Sequence, residues 1–116
     1  MSIKVKHYDN GQIKWLEIRD ENGSLHNPDG PARQEWYANG QEERRAYYLN
    51  NVLHNPDGAA FRRWRLDGGE LYRAYWLNGE RFTEAEFNEQ KDTVLVTCNG
   101  KEVHISRKSA EAMNLI

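Results

Sequence analysis

The sequence predicts a mainly β protein: an antiparallel β-meander of about 28-residue units, followed by a short capping helix and a C-terminal β-hairpin plus helix. Three observations predict it. One segment recurs at a fixed spacing, turn dipeptides separate short runs of residues, and those runs are rich in aromatic side chains. Aromatic residues make up 11% of the 116 residues, and half-buried strands favour them. Large rings are therefore expected to supply much of the buried area.

The repeat is carried by His26–Ala32 and His54–Ala60, which lie 28 residues apart and differ only where Ala59 replaces Pro31. The same shift superposes further identical pairs: Trp36 on Trp64, Gly40 on Gly68, Arg45 on Arg73, Ala46 on Ala74, Tyr47 on Tyr75, Leu49 on Leu77 and Asn50 on Asn78. An earlier partial copy begins at Asn10 and carries one extra residue, and a last copy breaks off after Gly79. The chain thus contains about two and a half units and then a cap.

Turn signals divide each unit into strands. The dipeptides Asn10-Gly11, Asn39-Gly40 and Asp67-Gly68 are typical of hairpins, because glycine accepts the positive φ that such turns require. The Asn-Pro-Asp-Gly segments provide the other connection, since proline presets φ and glycine closes the turn. The predicted strands are Ile3–Tyr8, Gln12–Arg19, Ala32–Tyr37, Glu42–Leu49, Ala59–Arg65 and Glu70–Leu77.

The segment after the repeats has different signals. Thr83 and Glu86 form a capping box, which predicts a helix over Glu84–Gln90. The dipeptide Asn99-Gly100 predicts another two-residue hairpin, and a final helix is expected to end near Asn114. Its strands are Thr93–Cys98 and Lys101–Ser106, and Ser106 or Ser109 caps the helix. We expect a single domain over 1–116, with repeats in 8–82 and a cap in 83–116. The segment from Asp92 onward is either a lid on the last open strand or a small appendage, and we favour the lid because an uncovered edge invites aggregation.

Composition excludes several classes of protein. The net charge of −2 is far from that of a typical basic nucleic-acid module. No apolar run approaches the roughly 18–20 residues of a membrane span, and the first residues lack the apolar stretch of a signal peptide. One cysteine excludes an internal disulfide framework. These features predict a protein of the cytoplasm with no membrane partner.

A second set of motifs carries a resemblance. Leu25–Ala32 and Leu53–Ala60 follow the pattern Leu-His-x-x-Asp-Gly-Pro-Ala, with Ala59 at the proline of the second copy. Tyr75–Gly79 reads Tyr-Trp-Leu-Asn-Gly, and Asn78–Glu84 is the kind of exit at which such arrays stop. In these motifs the chain resembles repeat proteins with this signature from bacteriophage and bacterial genomes. It is more distantly similar to MORN-type β-meander repeats, including those of some predicted bacterial antitoxins. The likeness covers about residues 8–90 and implies a fold, together with a phage or mobile-element origin in a bacterial host cell.

Two histidine–aspartate pairs are candidate metal ligands: His26 with Asp29, and His54 with Asp57. Neutral imidazole and carboxylate both bind divalent metals. The alternative is structural, with each aspartate ordering its turn and each histidine packed on a neighbouring ring while its nitrogens bond to backbone carbonyls. Two strands separate the copies, roughly 9–10 Å at the usual spacing, which is too far for one shared ion in a flat sheet. We therefore expect no metal and no cofactor.

Catalysis has few candidates. Cys98 lies on a predicted strand, with His104 as its one conceivable activating partner across the hairpin. The carboxylates form no convergent pair, and no phosphate-binding glycine loop is present. Repetition itself favours a structural or binding role, because catalysis needs one asymmetric site. We expect that the protein is not an enzyme.

The arginine-bearing aromatic strands are the candidate binding surface. Alternation places Arg45, Tyr47, Arg73 and Tyr75 on one face of the sheet and Trp76 on the other. All five are candidate partner-binding residues, because tyrosine, tryptophan and arginine dominate protein interfaces. The alternative is that both faces cover themselves, with arginine stems lying on rings.

The expected function is that of a non-enzymatic protein-binding module, encoded by a phage or mobile element, that inhibits or adapts a host or defence protein. The acidic segment Glu80–Asp92 would face a basic target surface. One alternative is binding of RNA or single-stranded nucleic acid by the arginine–aromatic strip. Another is a self-assembling structural protein, or a homodimer, formed through open sheet edges.

Overall fold

The computed structural model describes residues 1–91, 93–106 and 111–112. The chain forms two compact units, Met1–Phe82 and Thr83–Ile116. No helix in the described residues is both long and apolar enough to cross a membrane. Asp92, at the end of the acidic segment, and Ser109, one of the two expected helix caps, lie outside the described residues.

The first unit is mainly one antiparallel sheet, as the sequence predicts. Its strands are β1 (Ser2–His7), β2 (Ile13–Arg19), β3 (Arg33–Trp36), β4 (Glu42–Ala46), β7 (Phe61–Trp64), β8 (Glu70–Leu77) and β9 (Glu80–Phe82). They follow one another across the sheet in the order β1-β2-β3-β4-β7-β8-β9. Each neighbouring pair is antiparallel. A separate two-stranded sheet pairs β5 (Tyr48–Leu49) with β6 (Val52–Leu53). It lies in the connection between β4 and β7.

Three hairpins, β1–β2, β3–β4 and β7–β8, close in the same way. Asn10, Asn39 and Asp67 each accept, through a side-chain oxygen, the backbone N–H of the residue two positions later, at 2.9–3.0 Å. The glycine after each of them has a φ of 88–93°, which only glycine adopts at low cost. Just before each turn the pairing shifts by one residue, so that two residues of the second strand oppose one of the first.

Two predictions for this unit were wrong in detail. The expected continuous strand over Glu42–Leu49 is interrupted at Tyr47, whose N–H bonds to Ala60 O at 2.8 Å while Tyr48 turns aside to pair with β6. The short strands β6 and β9 were not predicted. The reversal between β5 and β6 uses two asparagines with positive φ, Asn50 at 52° and Asn51 at 66°, in place of an Asn-Gly dipeptide.

Small side chains occupy the most buried positions of the sheet. Ala32 and Ala60 are 0% exposed, Ala46 is 1% and Ala74 is 3%. Their backbones are joined directly, since Ala32 N–H bonds to Ala46 O and Ala60 N–H bonds to Ala74 O. The rings, which were expected to supply the buried area, lie mostly half-buried on the two faces. A single sheet has no second layer that could enclose a large ring. A methyl group close to the backbones of neighbouring strands is small enough to be fully covered.

The second unit begins with the predicted helix. Helix α1 spans Glu84–Lys91, and its capping box is present as predicted. Thr83 Oγ1 accepts the Glu86 N–H at 3.2 Å, and Glu86 Oε1 accepts the Thr83 N–H at 3.1 Å. The pKa of Glu86 is lowered from its usual value, first by the hydrogen bond from the Thr83 backbone N–H and then by the Thr83 side chain. Both contacts favour the charged carboxylate.

The predicted C-terminal hairpin is also present. Strands β10 (Thr93–Cys98) and β11 (Lys101–Ser106) are antiparallel and turn through Asn99 and Gly100. Of the expected last helix, 111–112 are helical, and its remaining positions lie outside the described residues.

Candidate functional site

A row of polar side chains crosses four strands on one face of the large sheet. The pairing places Gln34 opposite Arg45, Arg45 opposite Arg62, and Arg62 opposite Arg73. Directly opposed residues of antiparallel strands project to the same face. Strands β3, β4, β7 and β8 therefore carry one line of these four residues, which we call the arginine row.

Two carboxylates hold the arginine row in place. Glu42 accepts from Arg45 through both oxygens, at 3.0 and 2.6 Å, and from Gln34 Nε2 at 3.0 Å. Glu70 accepts from Arg62 Nε at 3.0 Å and Nη2 at 2.5 Å, and from Arg73 Nε at 2.5 Å. The two clusters differ in charge: Gln34–Glu42–Arg45 is neutral, whereas Arg62–Glu70–Arg73 carries one excess positive charge.

These contacts also shift pKa values. The guanidinium of Arg73, followed by that of Arg62, lowers the pKa of Glu70 from its ordinary value of 4.5. Hydrogen bonding to Glu70, and then to Tyr75, raises the pKa of Arg73. Glu42 raises the pKa of Arg45 in the same way, with a smaller contribution from Tyr47. The guanidiniums of Arg45 and Arg73 are thus held in their charged form by the carboxylates that orient them.

Rings complete the surface around the row. The guanidiniums of Arg45 and Arg62 lie 5.2 and 4.8 Å from the centre of the Trp64 ring, within the range of cation–π contacts. Arg73 Nη1 donates to Tyr75 Oη at 3.4 Å. Because each guanidinium has a carboxylate on one side and a ring or phenol on the other, little conformational entropy remains to be lost on binding.

The three arginines of the row help to line a depression of about 330 Å³, which we call the arginine–tyrosine depression. Four of the five predicted partner-binding residues line it, namely Arg45, Tyr47, Arg73 and Tyr75. Arg62 and the turn residues Asn55, Asp57, Gly58 and Ala59 complete its lining. Among these residues three guanidiniums face one carboxylate. Tyr75 is only 8% exposed, so it forms the floor, whereas the Arg73 side chain is 45% exposed.

Trp76, the fifth predicted residue, does not line the depression. It pairs with Arg81 on β9 and alternates with Tyr75 along β8, so it projects to the opposite face. Its backbone carbonyl accepts the Asn55 N–H at 3.1 Å, which ties β8 to the turn beside the depression.

A second, smaller depression of about 220 Å³ adjoins the first. Both are lined by Tyr47, Asn55 and Asp57. The smaller one continues past His54 to the turn at Asn27–Gly30. Together they form a shallow groove that runs from the arginine row to the two Asn-Pro-Asp-Gly turns.

The histidines proposed as metal ligands bind the backbone. His26 Nδ1 accepts the Asn50 N–H at 3.1 Å, and His54 Nδ1 accepts the Asn78 N–H at 2.9 Å. Each imidazole thus fixes an asparagine with positive φ, Asn50 and Asn78, in the following turn. Within the part of the chain that the structure describes, no three His, Cys, Asp or Glu side chains group closely enough to hold a metal ion.

Asparagine, and not the proposed aspartate, orders these turns. Asn27 Oδ1 accepts the Asp29 N–H at 3.1 Å, and Asn27 Nδ2 donates to Pro31 O at 3.1 Å. Asn55 makes the same pair of bonds to Asp57 and Ala59 at 3.0 Å. Asp29 and Asp57 are left exposed at the rim of the groove.

The other proposed chemical pair is not aligned. In the second unit Cys98 stands opposite Lys101, whereas His104 stands opposite Leu95. The register therefore separates Cys98 from the histidine that was its conceivable activating partner.

The opposite face of the large sheet is covered by its own ion pairs and rings. Glu17 accepts from Arg19 at 3.1 Å and also binds Arg33, and Glu35 binds Arg33 and Arg44 at 3.2 and 3.3 Å. Further guanidiniums lie over rings: Arg33 over Trp15, Arg44 over Phe61, and Arg81 over Tyr72. The alternative of a self-covering face thus describes this side of the sheet well.

Three residues in and around the depression were not predicted from the sequence: Arg62, Glu42 and Glu70. A signal for two of them exists, because Glu42–Arg45 and Glu70–Arg73 share a three-residue spacing. Strict alternation puts a glutamate and an arginine so spaced on opposite faces. The extra residue at the end of each hairpin brings them onto one face.

Glu70→Gln is expected to reduce the fall in the free energy of unfolding between neutral and acidic pH. Because the folded-state pKa of Glu70 is lowered, its contribution is fully present above about pH 4.5 and is lost as pH falls through the folded-state pKa. Urea unfolding of both proteins between about pH 7 and pH 3 measures this, and the difference should shrink below pH 4.5. Glu21→Gln, in an exposed turn, is the control. A difference that does not change with pH would contradict the assignment.

Comparison of the chain with models of protein families, with curated proteins and with solved structures finds no match.

Proposed function

We propose that this chain is a non-enzymatic module of about 28-residue repeats that binds another protein through the arginine–tyrosine depression. The observation that carries the proposal is the convergence of three guanidiniums and two tyrosines on one concave surface. Arginine and tyrosine are the residues that most often dominate binding energy at protein interfaces. A surface already ordered by Glu42 and Glu70 binds at a lower entropic cost.

The charges of the depression favour a protein over a nucleic acid. Arg45, Arg62 and Arg73 each have a carboxylate oxygen within 3.0 Å, which cancels most of the positive potential that a phosphate backbone needs. The whole chain has a net charge of −2. Asp57, in the lining, offsets the excess positive charge of the Arg62–Glu70–Arg73 cluster. The depression therefore suits a partner segment of little net charge that presents polar and aromatic groups.

The resemblance in the repeat motifs suggests the kind of partner. Proteins with this signature occur in phage and bacterial genomes, so we propose a host or defence protein as the target and an inhibitor or adaptor role. The hydrogen bonds of His26 and His54 recur at a spacing of 28 residues, which supports reading the two segments as copies of one unit. Occupation of the groove by a partner would use two adjacent copies of the turn.

Capture from a nuclease-treated bacterial lysate, quantified by mass spectrometry, tests this function. The tagged wild type should retain one stoichiometric protein at moderate salt, and Arg62→Gln with Arg73→Gln should lose at least nine tenths of it. Gln is chosen because Gln34 already bonds to a glutamate from the same row. Arg63→Gln, on the other face of β7, is the control and should retain the partner. Equal retention of the partner by all three proteins would contradict the proposal. So would partners that the wild type retains from an untreated lysate and does not retain from the nuclease-treated one.

A further inference from the structure

Strand β1 (Ser2–His7) is an edge strand whose outer side carries no strand in the described part of the chain. All six of its residues are exposed. Its inner side pairs with β2 over its whole length, from Ser2 opposite Arg19 to His7 opposite Ile13. A row of backbone donors and acceptors on the outer side is therefore open to an added strand.

The first strand of the next hairpin shows how that side accepts a neighbour. A tyrosine follows β1 and another follows β3, and the two make equivalent hydrogen bonds. Tyr8 Oη donates to Trp36 O at 2.7 Å, and Tyr37 Oη donates to Trp64 O at 2.8 Å. Strand β1 thus occupies in its hairpin the position that β3 occupies in the next. The edge of β3 that corresponds to the open edge of β1 is paired with β2. The corresponding edge of β7 is paired with β4.

From Ile3 to Lys6 the side chains of β1 alternate between apolar and basic. Ile3 and Val5, 64% and 42% exposed, project to one face, together with Ile13 and Leu16 of β2. Lys4 and Lys6 project to the other. Neither lysine has an ion pair within the described residues. In the next hairpin of the large sheet, Glu42 and Arg45 stand where this one has Ile13 and Leu16, so the apolar face distinguishes the first hairpin of that sheet from the second.

The pairing of β2 with β3 supplies a template for the missing neighbour. There Glu17 stands opposite Arg33 and binds it, while Leu16 stands opposite Gln34. Aligned on Tyr8 and Tyr37, the positions of Arg33 and Gln34 correspond to Lys4 and Val5. An added strand should therefore present a carboxylate to Lys4 and an apolar side chain to Val5.

We propose that the open side of β1 binds an extended segment of a partner protein, antiparallel, in which acidic and apolar residues alternate. Backbone hydrogen bonds supply affinity, the apolar residues cover Ile3 and Val5, and the acidic residues pair with Lys4 and Lys6. This surface is distinct from the arginine–tyrosine depression, which lies on β4, β7 and β8.

A second copy of this chain is a poor occupant of the same edge. Antiparallel pairing of two β1 strands with their apolar residues on one face brings the lysines of both copies together on the other face. Like charges in opposed positions destabilise a sheet, and edge lysines are a known device against self-pairing. The same lysines attract an acidic strand, so charge selects the partner.

Fluorescence anisotropy with two labelled peptides on the full chain tests the proposal. The probe Thr-Val-Glu-Val-Glu-Val-Thr should bind at least tenfold more tightly than its counterpart with Lys in place of Glu. The double variant Lys4→Glu with Lys6→Glu should reverse that preference. Arg63→Glu with Arg65→Glu makes the same change of net charge four strands away in the sheet and should leave the preference unchanged. Circular dichroism of both variants confirms that the fold is retained.

The acidic peptide with proline at its central valine should bind at least tenfold more weakly, because proline removes a backbone donor. Equal binding of the acidic and basic peptides, no binding of either, or a preference unchanged by the lysine substitutions would overturn the proposal. So would a wild-type dimer, seen by light scattering, that the acidic peptide fails to dissociate.

Discussion

Ala60→Leu is expected to lower the free energy of unfolding by about 1–3 kcal/mol, the cost of overpacking a filled site. Ala60 is 0% exposed, and its backbone is held on both sides: its N–H bonds to Ala74 O at 2.9 Å, and its carbonyl accepts the Tyr47 N–H at 2.8 Å. The strands cannot move apart to admit a larger side chain without breaking one of these bonds. Thermal unfolding should shift by roughly 4–8 °C for each kcal/mol lost.

The matched control for this substitution is Ala38→Leu. Ala38 is exposed, and 28 residues later the chain itself carries Leu66, which is 58% exposed. The same increase in volume should therefore change the unfolding midpoint little. If Ala60→Leu unfolds at the wild-type temperature, the alanine positions are not tightly packed, and this account of the sheet's interior is wrong.

Glu17→Ala is expected to cost about 2 kcal/mol, near the middle of the range for hydrogen bonds to charged groups. Glu17 is the buried charged residue of the large sheet, at 8% exposure, and binds both Arg19 and Arg33. Its removal leaves two guanidiniums close together without their shared carboxylate. Because both arginine side chains are about 30% exposed, water offsets part of the loss, and the expected cost stays below that of a fully buried pair.

Urea unfolding of Glu17→Ala beside Glu43→Ala measures this effect. Glu43 lies in β4 and makes no ion pair with any residue that the structure describes, so its removal should change the free energy of unfolding by less than about 0.5 kcal/mol, as is usual for substitutions away from such contacts. Equal effects of the two substitutions would show that the pairs of Glu17 contribute nothing to stability.

The sequence predicts those parts of the fold that follow local rules. The limits of β8, β10 and β11 and the start of α1 agree with the structure. A turn dipeptide adjoins each of these strands, and a capping box marks the start of the helix. The break at Tyr47 was not predicted, since the side chains of Glu42–Leu49 continue a strand pattern without interruption. The Tyr47 N–H still bonds to Ala60 O in the register of β4 and β7, but the Tyr47 carbonyl accepts the His54 N–H at 3.0 Å, and Tyr48 then pairs with β6. No local signal encodes these distant contacts.

The candidate site was predicted in part for the same reason. Alternation alone places Arg45 with Tyr47 and Arg73 with Tyr75 on one face, and these four residues do line one depression. Glu42 and Glu70 escaped notice because the extra residue in each hairpin reverses the face they would otherwise occupy. Arg62 is set between Arg45 and Arg73 by strand register, which depends on pairing across the sheet and not on spacing along the chain.

The most direct test of the central claim, that the arginine–tyrosine depression binds a protein partner, combines two measurements on one variant. Arg62→Gln with Arg73→Gln is titrated with the captured partner and is also unfolded thermally beside the wild type. Partner affinity should fall at least tenfold while the unfolding midpoint changes by only a few degrees, because these side chains are half-exposed and Glu70 can still bond to Gln. A large loss of thermal stability with unchanged affinity would contradict the claim and assign the arginine row to holding the sheet together.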